Sequence, residues 1–202
     1  MPSRFDVRFR TVLIAVTLFL TTVSMTATPT RAATLDRGDG CATQDWFKND
    51  SLLELAFDLA DANGSGKMLA VLWELPHCDS CARLHEVNFQ HEGTKAYIKK
   101  NFDVVVMNMR GGLEVTDFDG RRMPERILAL KYRIGFTPTV VFFNASGIEV
   151  FRLAGYFDPF HYLGAFVFAR TGGYADPETG GSFPLWTGKR KTLIEQAFAS
   201  KP

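Results

Sequence analysis

Two apolar runs along the chain predict neighbouring strands of one sheet. Residues 67–75 and 101–109 are dense in the apolar residues that suit buried strands. The segment from Asp79 through Lys100 has a helical pattern that pauses near Gly93. A strand, a helix and a second strand in this order favour parallel pairing through a right-handed crossover.

Further periodic segments extend this unit into a central mixed sheet flanked by helices. The predicted helices are 51–62, 124–133, 158–169 and 192–199, and the predicted antiparallel strands are 137–143 and 148–153, joined by a turn at 144–147. We interpret 110–122 as a polar insertion with a small hairpin, and 172–191, rich in Gly and Pro, as irregular. The predicted fold class is α/β.

The first 32 residues have the pattern of a secretory signal peptide. A basic start precedes an uncharged, mostly apolar core at 11–22, and cleavage is predicted after Ala32. The core is short for a membrane anchor, which needs about 20 residues. We therefore predict export to the periplasm of a Gram-negative bacterium. The resulting division is a signal peptide at 1–32, an N-terminal extension at 33–49, a folded domain at 50–171 and a C-terminal extension with a short helix at 172–202.

Charge and composition exclude several classes of partner. The chain has 23 basic and 22 acidic residues, and removal of the leader leaves 19 and 21, a net charge of −2. This balance gives no electrostatic footprint for nucleic acid or an anionic membrane. The 3 cysteines are too few for a disulfide scaffold, so a core rich in Phe (18 copies) must stabilise the fold.

The candidate chemistry lies where the first apolar run ends. Pro76-His77 breaks the strand, which places Cys78 at the N-terminus of the next helix and Cys81 one turn later. Free backbone N–H groups at a helix N-terminus favour a thiolate, the reactive form of cysteine. Cys81 is placed to attack a mixed disulfide formed at Cys78. The spacing therefore predicts a redox pair.

Two other interpretations of the cysteine pair stay open. A structural disulfide across so short a loop would restrain the unfolded chain little. Metal binding would use Cys78, Cys81 and His85, with no obvious fourth ligand for zinc, and a copper-delivery module is the related alternative. Cys41 lies outside the motif, as a free thiol, a link to another chain or an unpaired residue without a role.

Three features in this order resemble the thioredoxin superfamily. They are the strand that leads into Cys78-x-x-Cys81, the Thr137-Pro138 pair that opens a later strand, and Gly155 after the next strand. The resemblance covers roughly residues 50–170 and implies a thioredoxin-like fold. It also implies a cis peptide at Thr137-Pro138 that faces the cysteines and leaves the Thr137 backbone to pair with an extended segment of a partner protein.

Within the superfamily the chain looks most like the exported SoxW-type thioredoxins of bacterial sulfur-oxidation systems. The matching stretches are 73–74, 84–89, 114–120 and 136–139. Such relatives are thiol:disulfide reductases without a dissociable cofactor, recharged by a membrane protein that carries reducing equivalents across the inner membrane. The resemblance implies that Cys78 attacks and Cys81 resolves. It places Thr137 and Pro138 at the substrate side. Trp73 either packs beside the site, as aromatic residues do in this family, or belongs to the core, and His77 is a further candidate for the substrate side.

Two departures from thioredoxins bear on the chemistry. The strand position of their buried acid, six residues before the first cysteine, is Leu72 here. Glu74 shares a strand face with Leu72 and either takes over the acid's role or is solvated. Asp79 disfavours a thiolate at Cys78, and a protonated His77 would favour it. This competition predicts a reductant rather than a strong oxidant.

The sequence thus predicts a monomeric reductant of disulfide-bearing periplasmic proteins, fed by a membrane electron donor of the thiol-transporter type. No metal site, cofactor or nucleic-acid partner is expected. Sulfur-carrier proteins, apocytochromes c and general periplasmic disulfides all fit as substrates. The alternatives are a net disulfide oxidase or isomerase and a metal-binding module.

Overall fold

Four strands form the central sheet in the computed structural model, which describes residues 34–199. The strands of the described chain are β1 (Thr34–Asp36), β2 (Ala42–Gln44), β3 (Met68–Glu74), β4 (Phe102–Asn108), β5 (Glu114–Thr116), β6 (Arg122–Pro124), β7 (Thr139–Phe143) and β8 (Glu149–Ala154). The helices are α1 (Leu55–Gly64), α2 (Asp79–Arg83), α3 (Glu92–Asn101), α4 (Glu125–Lys131), α5 (Pro159–Arg170), α6 (Phe183–Lys189) and α7 (Lys191–Phe198).

The sheet is mixed and has the strand order β4-β3-β7-β8, which confirms the predicted fold class. Strand β3 pairs parallel with β4, with Glu74 opposite Asn108, and antiparallel with β7, with Trp73 opposite Thr139. Strand β8 returns antiparallel to β7. The polar insertion contains the predicted hairpin, formed by β5 and β6.

Side-chain alternation along β3 divides the core between the two faces of the sheet. Ala70 and Leu72 pack with apolar residues of α5 on one face. Leu69, Val71 and Trp73 pack with residues of α1 and α4 on the other face. Glu74, two residues after Leu72, therefore points to the α5 side.

The N-terminal extension packs onto the sheet as a short hairpin of β1 and β2. The Arg37 guanidinium donates to Glu125 Oε1 at 2.6 Å and to the carbonyl of Val106. Asn108 Nδ2 donates to Asp39 Oδ2 at 3.2 Å. Since Glu125 is fully buried, the arginine supplies the charge that this carboxylate needs.

Several predicted boundaries are wrong. The first helix begins at Leu55 rather than near 51. The helix predicted from Asp79 is α2 followed by a π-helical turn, Leu84–Asn88, before α3. Most of the predicted elements nevertheless end within two residues of the observed ends, among them α5 at Arg170 and α7 at Phe198.

The stretch 172–191, predicted to be irregular, contains a 3₁₀ turn (Gly173–Ala175) and helix α6. The prediction relied on the Gly and Pro content of this stretch and overlooked the helical spacing of two apolar residues, Phe183 and Trp186. Trp186 is buried, with its ring centroid 5.2 Å from that of Phe168. Pro184 is tolerated because it lies in the first turn of α6, where its missing N–H would be unpaired anyway.

The predicted signal peptide lies outside the described residues. Within 34–199, none of the helices is long and apolar enough to span a membrane.

Because Trp186 joins the C-terminal helices to the core, we expect Trp186→Ala to lower the free energy of unfolding by about 3–5 kcal/mol. Leu185→Ala is the matched control, since Leu185 is the exposed neighbour on the same helix. Urea denaturation measures both. Equal, small effects of the two substitutions would contradict the placement of α6.

Candidate active site

The cysteine pair lies just beyond the end of β3. His77 adopts a positive φ of 57°, which turns the chain from the strand into α2. Cys78 is the N-cap of α2, and its Sγ accepts a hydrogen bond from the Cys81 amide at 3.2 Å. Cys78 and Cys81 are joined by a disulfide.

The two cysteines differ in exposure. Cys78 is half-buried, whereas Cys81 is only 3% exposed. An attacking sulfur must reach a disulfide on another protein, and a resolving sulfur needs to reach only its neighbour. The geometry therefore suits Cys78 for attack and Cys81 for resolution.

The loop before β7 faces the cysteines. The Thr137–Pro138 peptide is cis, as the resemblance implies. Thr137 Oγ1 lies 3.5 Å from Cys78 Sγ, and Pro138 is buried. Ser80 Oγ, which the sequence analysis did not single out, donates to the Thr137 carbonyl at 3.1 Å and lies 3.3 Å from Cys78 Sγ. Ser80 thus links the two halves of the site.

Glu74 is buried beneath this site rather than solvated. Its Oε1 lies 2.9 Å from His85 Nε2, and its Oε2 is buried without a hydrogen-bond partner. Glu74 lines a small cleft of about 140 Å³ together with Cys78 and Cys81. A carboxylate is therefore within the surroundings of the resolving cysteine, although Leu72 occupies the usual strand position of the acid.

The other predicted substrate-side residues divide into two groups. His77 is exposed and lines the cleft, as does Asp79. Trp73 is 2% exposed and packs in the core on the face of the sheet opposite Glu74. The structure thus places Trp73 in the core, because strand alternation turns its ring to that face of the sheet.

His85, considered in the sequence only as a metal ligand, has both ring nitrogens engaged. Nε2 bonds Glu74, and Nδ1 lies 2.9 Å from Gln44 Nε2. Among residues 34–199, no three His, Cys, Asp or Glu side chains are grouped to hold a metal ion. The sequence could have indicated that His85 lies near the site, because it follows Cys81 by one helical turn.

Cys41 is a free, buried thiol in the N-terminal hairpin. Burial, followed by the charge of Asp39, raises its pKa from 9.0 to about 12. Since the thiolate is the reactive form and the side chain is buried, we expect Cys41 not to react in the folded protein at neutral pH.

Comparison with known proteins agrees with this arrangement. The sequence profile of the thioredoxin-like domain matches residues 55–178. The chain belongs to the thioredoxin-like domain family. A cysteine pair at this position of a thioredoxin-like domain is the reactive centre of a thiol:disulfide oxidoreductase.

Similarity to a solved structure supports the fold. The thioredoxin-like chain is similar to a thioredoxin-fold protein from Helicobacter pylori, with 23% identity and a TM-score of 0.53 over 65% of this chain and 84% of that chain. It is also similar to a putative disulphide-isomerase from Bacteroides thetaiotaomicron, with 27% identity and a TM-score of 0.47 over 58% and 88% of the two chains. The curated proteins give no significant match.

The raised pKa of Cys41 predicts selective alkylation. In the reduced, folded protein at pH about 9, iodoacetamide should modify Cys78 and spare Cys41 until denaturant is added. The pKa of the Cys41 thiol is higher in the folded protein than in the unfolded chain, so burial of the neutral thiol stabilises the fold. This stabilisation is fully present below pH 9.0 and is lost as the pH rises through about 12. Peptide mass mapping measures the modification. Rapid alkylation of Cys41 in the folded protein would show that its thiol is accessible.

Proposed function

We propose that this protein reduces disulfides of partner proteins in the periplasm, with Cys78 as the attacking thiol and Cys81 as the resolving thiol. The observation that carries the proposal is the unequal exposure of the two sulfurs beside the Thr137 loop. Of the two sulfurs, that of Cys78 is the more open to a partner, and both cysteines line the cleft that they share with the buried Glu74.

The reaction is thiol–disulfide exchange in two displacements. The Cys78 thiolate attacks one partner sulfur, so the partner S–S bond breaks and the other partner sulfur leaves as a thiolate. Cys81 gives its proton to Glu74 and attacks Cys78 Sγ, which releases the first partner sulfur and closes the Cys78–Cys81 disulfide. Protons from Glu74 and solvent reach the released thiolates. The partner gains two electrons and the cysteine pair loses two.

Electrostatics favour net reduction over net oxidation. Asp79 and Glu74 place two carboxylates around the cleft, and both disfavour a thiolate in the reduced pair. The contacts that favour a Cys78 thiolate are the Cys81 amide and the Thr137 hydroxyl, because the one proton of the Ser80 hydroxyl is donated to the Thr137 carbonyl. A pair whose reduced form is poorly stabilised gives up its electrons readily, whereas strong oxidants have a stabilised reduced form.

The resemblance to SoxW-type thioredoxins supports the choice of partners. The predicted leader supports a periplasmic location, where disulfides persist and a reductant needs its own supply of electrons. We propose that a membrane thiol transporter reduces the Cys78–Cys81 disulfide. Sulfur-carrier proteins and apocytochromes c are the substrate classes to test first, and the protein acts as a monomer without a dissociable cofactor.

Substitution of each cysteine tests the proposal. Cys78→Ser should abolish the reduction of insulin disulfides by the reduced protein. Cys81→Ser should instead accumulate a covalent complex with insulin that dithiothreitol releases, because nothing resolves the mixed disulfide. Non-reducing electrophoresis and turbidity measure the two outcomes.

The control is Cys41→Ser, which should keep full activity because Cys41 lies outside the exchange. Full activity in Cys78→Ser would mean that another group attacks, and the assignment of roles would be wrong.

A further inference from the structure

A chain of buried polar side chains leads from the cleft to the N-terminal hairpin. Glu74, His85 and Gln44 are each fully buried, and consecutive members are 2.9 Å apart. Gln44 comes from β2, Glu74 from the end of β3, and His85 from the π-helical turn after α2. Three separate elements thus converge on one line of hydrogen bonds.

The surroundings of Gln44 determine the direction of these bonds. Gln90 Nε2 lies 3.4 Å from Gln44 Oε1, which therefore accepts, and Gln44 Nε2 lies 3.3 Å from Thr34 Oγ1. The amide nitrogen of Gln44 is left to donate to His85 Nδ1. A neutral imidazole that accepts at Nδ1 carries its proton on Nε2, so His85 donates to Glu74 Oε1.

This arrangement leaves the second carboxylate oxygen unpaired. Burial of a carboxylate oxygen without a partner is costly, and buried polar groups are normally hydrogen-bonded. Nothing within the described chain donates to Glu74 Oε2. The hydrogen bond at Oε1 holds the Glu74 carboxylate in one orientation. Its Oε2, which has no partner, is left free to accept a proton.

We propose that His85 and Gln44 are positioning residues for the exchange reaction: they hold Glu74 so that its Oε2 accepts the proton of Cys81. This inference rests on the proposed function. In the step concerned, the Cys81 S–H bond breaks, an O–H bond forms on Glu74, and the Cys81 sulfur bonds Cys78 Sγ as the partner sulfur leaves. His85 and Gln44 keep their own protons throughout.

The titratable groups around Glu74 come from several elements. Tyr162 on α5 is buried, and burial together with the charge of Glu74 raises its pKa. Cys41 in the N-terminal hairpin also experiences the charge of Glu74. The groups that face Glu74 or share its cleft are His77, Cys78, Asp79 and Cys81 at the start of α2, His85 in the π-helical turn, Tyr162 on α5 and Cys41. Of these, only His85 is hydrogen-bonded to the carboxylate.

The experiment separates the two displacements by stopped flow. Dithiobis-nitrobenzoate reacts with the reduced protein, and attack by Cys78 releases a first thionitrobenzoate. Attack by Cys81 on the mixed disulfide releases a second. The first phase reports the proposed function, and the second reports the step that Glu74 serves.

We expect His85→Leu to slow the second phase by about tenfold or more at neutral pH and to leave the first phase unchanged. The deficit should shrink as the pH rises, because solvent then removes the Cys81 proton. His85→Gln should recover most of the rate, since its amide still donates to Glu74. In a Glu74→Gln background, His85→Leu should have little further effect, because residues that act through one another are not additive.

Gln44→Leu provides a second variant if His85→Leu does not fold, and its second phase should be slowed in the same pH-dependent way. The matched control is His91→Gln, because His91 is a partly buried histidine that caps α3 away from the cysteines. The inference would be overturned if a folded His85→Leu variant had the same second-phase rate as the parent at every pH. His85→Gln and Gln44→Leu would then also match the parent. Absence of the first phase in the parent would instead overturn the proposed function.

Discussion

Strand β3 lies between β4 and β7, and its register with both neighbours decides where each part of the site lies. Parallel pairing with β4 places the end of β3 at the edge where α2 begins. Antiparallel pairing with β7 brings the Thr137 loop to the same edge. A slip of one residue would exchange the two faces and put Trp73 where Glu74 now lies, since side chains alternate along a strand. The cost of exposing the core on both faces prevents that slip.

Burial of Glu74 gives this register a chemical consequence. A carboxylate at the end of the central strand requires a partner, and the π-helical turn supplies His85 at hydrogen-bond distance. The same negative charge lies beside the cysteine pair and disfavours a thiolate there. A disfavoured thiolate makes the disulfide easier to form, which is what the proposed reductant requires.

Local patterns in the sequence were sufficient for the sheet and the cysteine pair. Apolar runs defined β3 and β4, and the break at Pro76-His77 placed Cys78 at a helix start. The two-residue period of a strand also put Leu72 and Glu74 on one face. These features depend on neighbours within a few residues, which is the range that periodicity reports.

The hydrogen-bonded partners of Glu74, the helix α6 and the position of Trp73 could not be predicted, because they depend on contacts between segments that are distant in the sequence. Gln44 lies 41 positions before His85, and only the docking of the N-terminal hairpin brings them together. Trp186 is buried because α6 packs on α5, although the composition around it is typical of a loop. The position of Trp73 depended on the sheet as well: the sequence left it beside the site or in the core, and strand alternation turns its ring into the core on the face opposite Glu74.

The reduction potential of the Cys78–Cys81 couple tests the central claim most directly. Equilibration of the purified, metal-free protein with dithiothreitol and glutathione buffers gives its value. We expect a potential near that of thioredoxin, about −270 mV, because the reduced pair is poorly stabilised. A potential near about −120 mV, typical of a strong oxidant, would contradict the account and assign the protein to disulfide formation.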